Sequence, residues 1–331
     1  MSGARDGRIP LTIVTGFLGS GKTTLIRGLL AEPHFANAAI VVNEFGEVGI
    51  DHHLFLKTDE RITLLRAGCA CCARRDDLVE ALVSLIRRVD RGELPHLDQV
   101  ILETSGLADP APILHTIVSD PVLSRRYRME RTITTLDAVA GAKNLETYAE
   151  AVRQVAAADA IVITKRDLAP EDAVFPLQQR IAAINPAALL LLADRGHIDL
   201  SRLLGGAGRG VSIRAIADHV AGERALHASG AVTSLCLEPA EPVDWRMLGL
   251  WLTMLLHCHG ARVLRVKGLL DVGEEGPLLL EGVQHVVHAP RHLERWPDDE
   301  RRSQLVVIVR DLEPARIRES LAAFQALAAE A

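Results

Sequence analysis

The chain has 331 residues, of which 48% are hydrophobic and 24% are charged. This composition supplies enough apolar surface for a folded core and excludes a largely disordered chain. Lys and Arg total 37 against 43 for Asp and Glu, which leaves a net charge of −6 and disfavours a general nucleic-acid binder. Aromatic residues make up only 3%, so Ala, Leu, Ile and Val must build the core. The length predicts about two domains.

The cellular setting is predicted from the N-terminus and the cysteines. The first ten residues carry no apolar signal region, so we expect a cytoplasmic protein that does not enter a membrane. Three of the five cysteines are crowded into Cys69, Cys71 and Cys72. In a reducing compartment this crowding indicates metal or thiol chemistry rather than a disulfide framework.

Short apolar runs alternate with longer amphipathic segments over the first two-thirds of the chain. This alternation is typical of an α/β fold, in which helices connect the strands of a parallel sheet. The clearest predicted helices are Thr23–Leu30 and Asp76–Val89. The predicted strands are Leu11–Thr15, Ala38–Val42, Gln99–Glu103, Arg131–Asp137, Ala160–Thr164 and Ala187–Leu192.

A stretch rich in Gly and Arg, 194–230, separates this region from a second group of elements. We predict a loop-rich connection here, with one helix at Ile213–Arg224. The elements that follow have the order β-α-β-β-β-α, which favours a smaller C-terminal α+β domain. They are Ala231–Glu238, Asp244–Cys258, Arg262–Val272, Leu278–His288, Gln304–Asp311 and Pro314–Ala329. The predicted divisions are therefore a domain at 1–196, a connecting segment at 197–229 and a domain at 230–331.

The segment from Gly16 to Thr23 matches the phosphate-binding pattern G-x-x-x-x-G-K-[ST]. An apolar run precedes it and a helix follows, a context that argues against a chance match in a Gly-rich turn. The glycines let backbone N–H groups point at a phosphate, and the helix N-terminus adds a favourable dipole. Lys22 can reach the β- and γ-phosphates, and the Thr23 hydroxyl can bind Mg²⁺. The pattern predicts a P-loop NTPase sheet with flanking helices.

A second polar motif, T-K-x-D, closes the apolar run that ends at Thr164. The Asp167 carboxylate can accept two hydrogen bonds from guanine, whose N1–H and N2 amino group have no counterpart in adenine. The aliphatic part of Lys165 can cover the face of the base. The alternative is an exposed polar turn. Many guanine-binding proteins carry Asn where Thr164 stands, which leaves the loop-bracing role of this residue open.

The apolar run that starts at Val100 ends in an acid, Glu103, and a glycine follows at Gly106. We expect Glu103 beside the Mg²⁺ ion and its water shell. The Gly106 N–H is placed to sense a γ-phosphate. The alternative is an ordinary strand end with a solvated Glu.

Three thiols occupy four positions, at Cys69, Cys71 and Cys72. Neighbouring cysteines do not pair easily in a relaxed disulfide, but their thiolates can converge on a cation such as Zn²⁺. A structural zinc site requires four ligands, so this incomplete set suits a metal that is later released. A buried cysteine cluster and a redox switch are the alternatives.

An acidic, Gly-containing segment, 43–51, lies between the phosphate loop and the cysteines. Glycines and acids directly after a strand are typical of a nucleotide-sensing loop. Glu44 and Glu47 are therefore candidates for positioning water or binding metal. The alternative is an acidic surface loop.

Taken in chain order, five motifs resemble those of the CobW-type family of P-loop GTPases, which is related to the GTPases that mature urease and hydrogenase. They read GFLGSGKTTL, NEFGEVGID, GCACC, ETSGLADP and TKRD. Segments 262–270 and 281–286 are similar to strands of the family's C-terminal domain, so the resemblance covers nearly the whole chain. It implies binding and hydrolysis of GTP to load a metal, commonly zinc and sometimes cobalt or iron, onto a client protein.

The resemblance also implies roles for individual residues, and a homodimer is a further expectation. GTP and Mg²⁺ would be bound by Gly16, Gly19, Ser20, Gly21, Lys22, Thr23, Thr24, Glu103 and Gly106, and guanine by Thr164, Lys165 and Asp167. The transferred Zn²⁺ or Co²⁺ would be bound by Cys69, Cys71 and Cys72, with Glu44 and Glu47 as further candidates. Lys22, Glu44 and Glu103 are the candidate catalytic residues. Many relatives have a His-rich run near the domain junction, whereas here only His197, His219 and His227 are scattered there.

Two other functions fit parts of the sequence. A small-molecule kinase could use the same phosphate loop, although T-K-x-D argues against the adenine site it would need. A metal-responsive regulatory module would bind nucleotide while hydrolysis is incidental.

Several residues outside these motifs have weaker assignments. The triplet from His257 to His259 either binds metal or simply ends a helix. In the predicted strand Leu278–His288, His285 and His288 face opposite sides. Cys236 is expected in the core, and Trp245 and Trp251 are expected to pack the second domain.

Overall fold

The computed structural model describes residues 7–43, 62–64, 75–170, 172–193, 197–199, 202–203, 232–239, 242–297 and 301–330. Several sequence predictions lie outside these residues. They concern Glu44, Glu47, Cys69, Cys71, Cys72 and the helix at Ile213–Arg224.

The chain divides into two compact units. The first comprises Met1–Asn144, Ala158–Val174 and Leu190–Leu200, and the second comprises Leu145–Ala157, Phe175–Leu189 and Ser201–Ala331. Two segments that precede residue 190 thus cluster with the C-terminal residues. The domain boundaries at 196 and 230 stay a prediction.

A seven-stranded sheet organises the N-terminal part of the chain. Its strands are β1 (Ile9–Gly16), β2 (Ala38–Asn43), β3 (Ile62–Leu64), β4 (Gln99–Thr104), β5 (Tyr127–Asp137), β6 (Ala160–Thr164) and β7 (Leu189–Leu192). They follow the order β3-β2-β4-β1-β5-β6-β7, and the neighbours from β3 to β6 pair in parallel. Every residue of β4 and β6 is buried, which explains why these strands read as continuous apolar runs.

Helices connect these strands. They are α1 (Lys22–Leu30), α2 (Arg75–Asp90), α3 (Pro110–Ser119), α4 (Leu123–Arg126), α5 (Gly141–Thr147), α6 (Ala149–Ala157) and α7 (Val174–Ile184). Helix α1 packs against β1 and β4 and buries Leu25, Ile26 and Leu29, which share one helical face. Helix α3 begins where the Asp109 carboxylate accepts the Ala111 N–H at 3.0 Å. The predicted P-loop NTPase fold is confirmed.

A second, antiparallel sheet carries the C-terminal part of the chain. Its elements are β8 (Val232–Leu237), α8 (Trp245–His259), β9 (Val263–Leu270), β10 (Leu278–Val283), β11 (Val286–Val287), β12 (Arg291–His292), β13 (Gln304–Arg310) and α9 (Pro314–Glu330). The strand order is β11-β10-β9-β13-β8, and β12 pairs with β10. The predicted α+β class of this region is confirmed.

One face of this sheet forms a core with α8 and α9. Asp244 is the N-cap of helix α8, because its carboxylate accepts the N–H groups of Arg246 and Met247 at 2.7 and 3.1 Å. Trp251 is 2% exposed and donates its indole N–H to the Ser320 hydroxyl at 3.0 Å. It belongs to the buried cluster that includes Leu235 and Leu237, as predicted for a packing residue.

The opposite face of the same sheet carries polar residues that contact α6 and α7. The buried Arg265 guanidinium donates to the Ala157 carbonyl at 2.6 Å, at the C-terminal end of α6 where a cation is favoured. The Ser234 hydroxyl donates to the Ala183 carbonyl of α7 at 3.1 Å. Hydrogen bonds therefore supplement the apolar contacts on this face.

The prediction of one strand across Leu278–His288 is wrong. Strand β10 ends at Val283, and the chain reverses through Gln284, whose φ of 50° lies in the left-handed region. It then returns as β11, antiparallel to β10. His285 is exposed in this turn, so the argument that a single strand directs His285 and His288 to opposite faces no longer applies.

Two expectations about core packing are also wrong. Trp245 opens α8 with 37% of its surface exposed. Cys236 is half-buried, because it alternates with Leu235 and Leu237 and so lies on the face away from the buried cluster.

Candidate nucleotide-binding site

The phosphate loop joins β1 directly to α1. At Gly16 the backbone has a φ of 140°, and a Cβ there would lie 2.4 Å from the Thr135 carbonyl oxygen. Only glycine fits this position, because both the backbone angle and the close contact with β5 exclude a side chain. Gly19 and Gly21 also have positive φ values, of 70° and 93°. The loop therefore uses three of its glycines for backbone geometry.

Lys22 is the first residue of α1 and turns back over the loop. Its ammonium group donates to the carbonyl of Gly16 at 2.9 Å and to that of Phe17 at 3.3 Å. The cation thus lies inside the curve of the loop, beside the backbone N–H groups at the helix N-terminus. This arrangement is suited to binding a phosphate.

Thr23 and Glu103 bring α1 and β4 together. The Thr23 hydroxyl donates to the Glu103 carboxylate at 2.9 Å, and Glu103 is 6% exposed. A hydroxyl that donates its proton still has two lone pairs, so Thr23 remains able to ligate a cation. A buried carboxylate next to it favours positive charge. The donor set, two hard oxygen groups beside a phosphate loop, therefore fits Mg²⁺.

Gly106 lies against the phosphate loop from the other side. A Cβ built at Gly106 would lie 2.7 Å from the backbone nitrogen of Leu18. The segment that follows β4 is therefore in direct contact with the loop. The sequence motif gives no indication of this packing.

Thr164 ties the T-K-x-D segment to the phosphate loop. Its hydroxyl donates to the Ser20 carbonyl at 2.7 Å and lies 3.3 Å from the Leu136 carbonyl. The Ser20 hydroxyl in turn lies 2.6 Å from the Thr135 hydroxyl of β5. The Thr164 hydroxyl therefore braces the phosphate loop, a role that the sequence alone left open for Thr at this position.

Lys165 and Asp167 follow in the same segment. Lys165 has a left-handed backbone, with φ of 56°, and its ammonium group lies 2.6 Å from the Asp137 carboxylate. Asp167 is exposed in a 3-10 turn at Arg166–Leu168, where its carboxylate is accessible to a base. Sequence reasoning missed Asp137. The sequence shows only an acid at the end of an apolar run. The structure places that run, β5, directly beside the strand that carries the motif.

The remaining predicted residues that the structure describes are exposed. Thr24 is exposed in the first turn of α1. The triplet His257 to His259 ends α8 and is exposed on all three side chains. Among the residues that the structure describes, no three His, Cys, Asp or Glu side chains are grouped as metal ligands. No helix in those same residues is both long and apolar enough to cross a membrane.

The parallel sheet and the loop between β1 and α1, with an acid at the end of β4, define a P-loop nucleotide-binding protein. Comparison with known families agrees with this class. The CobW/HypB/UreG nucleotide-binding domain matches residues 10–191, and the cobalamin synthesis protein cobW C-terminal domain matches residues 232–325. The chain therefore belongs to the CobW/HypB/UreG family, and its predicted resemblance to CobW-type P-loop GTPases is confirmed.

Individual relatives are similar over nearly the whole chain. The zinc chaperone YjiA of Escherichia coli (strain K12) is 34% identical over 95% of this chain and 98% of its own length. The zinc chaperone CobW of Pseudomonas aeruginosa is 31% identical over 95% of this chain and 91% of its own length. The crystal structure of Zn(II)-bound YjiA GTPase from E. coli matches with a TM-score of 0.69 and 31% identity, over 96% of this chain and 99% of that one.

Proposed function

We propose that this chain is a GTP-hydrolysing metallochaperone that loads a transition metal, above all zinc, onto a client protein in the reducing cytoplasm. One observation carries the proposal. The phosphate loop gathers Lys22, Thr23 and Glu103 in a chain whose similarity to zinc chaperones extends over both units. The loop supplies the nucleotide chemistry, and the relatives indicate the cargo.

The phosphate end of GTP would be bound by the loop itself. Backbone N–H groups at the start of α1 and the Lys22 ammonium group face the region where β- and γ-phosphates bind in P-loop proteins. Thr23 and Glu103 would hold Mg²⁺, which would supply positive charge to stabilise the charge that develops on the phosphate oxygens. Gly106 contacts the loop, and in this proposal its N–H would donate toward the γ-phosphate.

The base would be selected by the exposed carboxylate of Asp167. That carboxylate pairs with the N1–H and N2 amino group of guanine, whereas adenine would leave it desolvated and unpaired. The hydrogen bond from Thr164 to Ser20 fixes the distance between this turn and the phosphate loop. GTP is therefore expected to bind far more tightly than ATP.

Hydrolysis requires a water molecule positioned against the γ-phosphate. Glu44, directly after β2, is our proposed water-positioning residue. Intrinsic turnover is expected to be slow, as in other GTPases without an activator.

The metal is the cargo. It would bind at Cys69, Cys71 and Cys72, with Glu44 or Glu47 as a further ligand. The segments 43–51 and 103–109 lie on either side of these cysteines in sequence, so the γ-phosphate can alter the arrangement of the ligands. Thiols lose protons when they bind metal, and affinity should therefore rise with pH. A coupling of about 1–3 kcal/mol changes metal affinity roughly 5- to 150-fold, which is sufficient for loading and release.

Competition for Zn²⁺ with a chromophoric chelator tests this proposal. Affinity is measured with a non-hydrolysable GTP analogue and with GDP. We expect the two nucleotides to give different affinities, and equal affinities would contradict the coupling.

Substitutions separate the two halves of the proposal. Replacing Cys69, Cys71 and Cys72 with Ser should abolish tight Zn²⁺ binding and leave GTP affinity nearly unchanged. The matched control is Cys236→Ser, which removes a half-buried thiol of β8 and should leave both affinities unchanged. Lys22→Ala should weaken GTP and spare the metal. Preference for ATP over GTP in the unmodified protein would favour a kinase instead.

A further inference from the structure

Asp137 is fixed beside the guanine-binding turn by the sheet itself. It is the last residue of β5 and is the register partner of Thr164, the last residue of β6. The Ala138 N–H donates to the Thr164 carbonyl at 2.9 Å, which extends the pairing one residue past the strand. The position of the Asp137 backbone relative to Lys165 is therefore set by two paired strands and not by a loose loop.

The two oxygens of the Asp137 carboxylate have different partners. Oδ1 accepts the N–H groups of Val139 and Ala140, at 2.7 and 3.3 Å, and so caps the turn that follows β5. Oδ2 lies 2.6 Å from Nζ of Lys165. Asp137 is buried, whereas the Lys165 side chain is 37% exposed, so this ion pair is only partly shielded from water. A short-chain acid held by two N–H groups offers its second oxygen at a fixed point.

Lys165 needs such a fixed partner. Its backbone lies in the left-handed region, which is unfavourable for a residue with a side chain. Its four-carbon stem is flexible, and ordering it on nucleotide binding would cost conformational entropy. An ion pair that holds the ammonium group before the base arrives removes part of that cost.

We propose that Asp137 is a positioning residue for guanine-nucleotide binding, which acts by holding Lys165 in the extended arrangement that covers the base. This inference rests on the proposed binding of GTP. The proposal assigns different tasks to two acids. Asp167 identifies the base as guanine, whereas Asp137 determines how tightly a base of that shape is held.

The test variant is Asp137→Asn, because an Asn oxygen can still accept the N–H groups of Val139 and Ala140 while the charge is lost. We expect GDP and IDP, whose base lacks the N2 amino group, to bind roughly 5- to 30-fold more weakly, the scale of one partly buried charge-assisted hydrogen bond. The loss should appear as faster dissociation, measured by stopped-flow with a fluorescent GDP. The ratio of GDP to IDP affinity should stay at its original value.

A double-mutant cycle distinguishes positioning from support of the fold. In a Lys165→Ala background, Asp137→Asn should cause no further loss of affinity. The matched control is Asp90→Asn, which removes a carboxylate that also lies 2.6 Å from its cation, Arg126, on the surface of the same unit. This control should bind GDP normally. Asp137→Ser, which retains a short acceptor for the turn, replaces the Asn variant if the latter does not fold.

Each outcome has one meaning. Unchanged GDP affinity in both Asp137 variants overturns the positioning role and leaves the proposed function intact. An equal loss with and without Lys165 also overturns it, since Asp137 then acts through the turn alone. If the unmodified protein binds ATP as tightly as GTP, the proposed function fails, and this inference fails with it.

Discussion

Gly106→Ala tests whether the contact between the segment after β4 and the phosphate loop controls nucleotide binding. The added Cβ would lie 2.7 Å from the backbone nitrogen and 2.8 Å from the Cα of Leu18, whereas ordinary contacts begin at 3.4 Å. The loop, or the 106 backbone, must therefore move by about 0.7 Å. Because two of the three nearest atoms are main-chain atoms of Leu18, rotation of the Leu18 side chain does not by itself relieve the clash. Overpacking of this kind costs about 1–3 kcal/mol.

The assay compares GDP affinity with the free energy of unfolding in urea. In the nucleotide-free protein, the loop can shift to relieve the clash. The free-energy cost then appears when GDP binds, and GDP should bind roughly 5- to 150-fold more weakly. The matched control is Gly249→Ala in α8, where nothing lies within 4 Å of the new Cβ. Ala is the better helix former there, by about 0.5–1 kcal/mol, and GDP affinity should be unchanged. Normal affinity together with normal stability in Gly106→Ala would refute the contact.

Three further predictions concern single groups. Thr164→Val removes the hydrogen bond to the Ser20 carbonyl and leaves it unpaired on that side, so both GTP and GDP should bind roughly tenfold more weakly by titration. Asp244→Ala removes the N-cap of α8 and should lower the unfolding free energy in urea by about 1 kcal/mol without affecting GTP binding. Burial, and secondarily the Glu238 charge, raises the pKa of the Cys236 thiol to about 11, against 9.0 for a free thiol. The folded state thus retains a proton that the unfolded state releases, and stability should fall as pH rises from about 9 to about 11, a slope that Cys236→Ser should reduce.

The strands of the first sheet were predictable wherever both faces are buried. The strands β4 and β6 form continuous apolar runs, which are typical of strands buried on both faces. The start of β5 was not predictable, because Arg128, Glu130 and Arg131 interrupt the apolar pattern there. The strand nevertheless begins at Tyr127, whose hydroxyl donates to the Leu82 carbonyl at 2.9 Å and is buried. A long-range contact of this kind leaves no periodic signal in the sequence.

The turn within Leu278–His288 could not be predicted, because the local sequence contains none of the usual turn signals. The sequence from Glu281 to Val287 contains no Pro, Asn or Asp, and its single glycine, Gly282, lies in β10 and not in the turn. The reversal uses a left-handed Gln284, a conformation that this residue type rarely adopts. Turn chemistry therefore could not locate it. Pairing of β10 with β11 and β9 supplies the stabilisation that the local sequence lacks.

The candidate site also contains residues that the sequence predicted and one, Asp137, that it did not. Motifs located Lys22, Thr23 and Glu103 because their spacing is fixed by phosphate chemistry and by the strand ends of a parallel sheet. Asp137 has no motif, since a single acid after an apolar strand occurs in many proteins. Its role depends on which strand lies next to β5, and that is information about topology that a local pattern does not contain.

The end of β5 explains why binding of the base and binding of the phosphates should be linked. Thr135 contacts Ser20 of the phosphate loop, and two residues later Asp137 contacts Lys165 of the turn proposed to bind guanine. Thr164 connects the same two segments directly through Ser20. Because β5 lies between β1 and β6, a shift of either segment must deform a buried, paired strand or break these hydrogen bonds. We therefore expect the two halves of the nucleotide to bind to one preorganised unit, and changes at the two ends should combine non-additively.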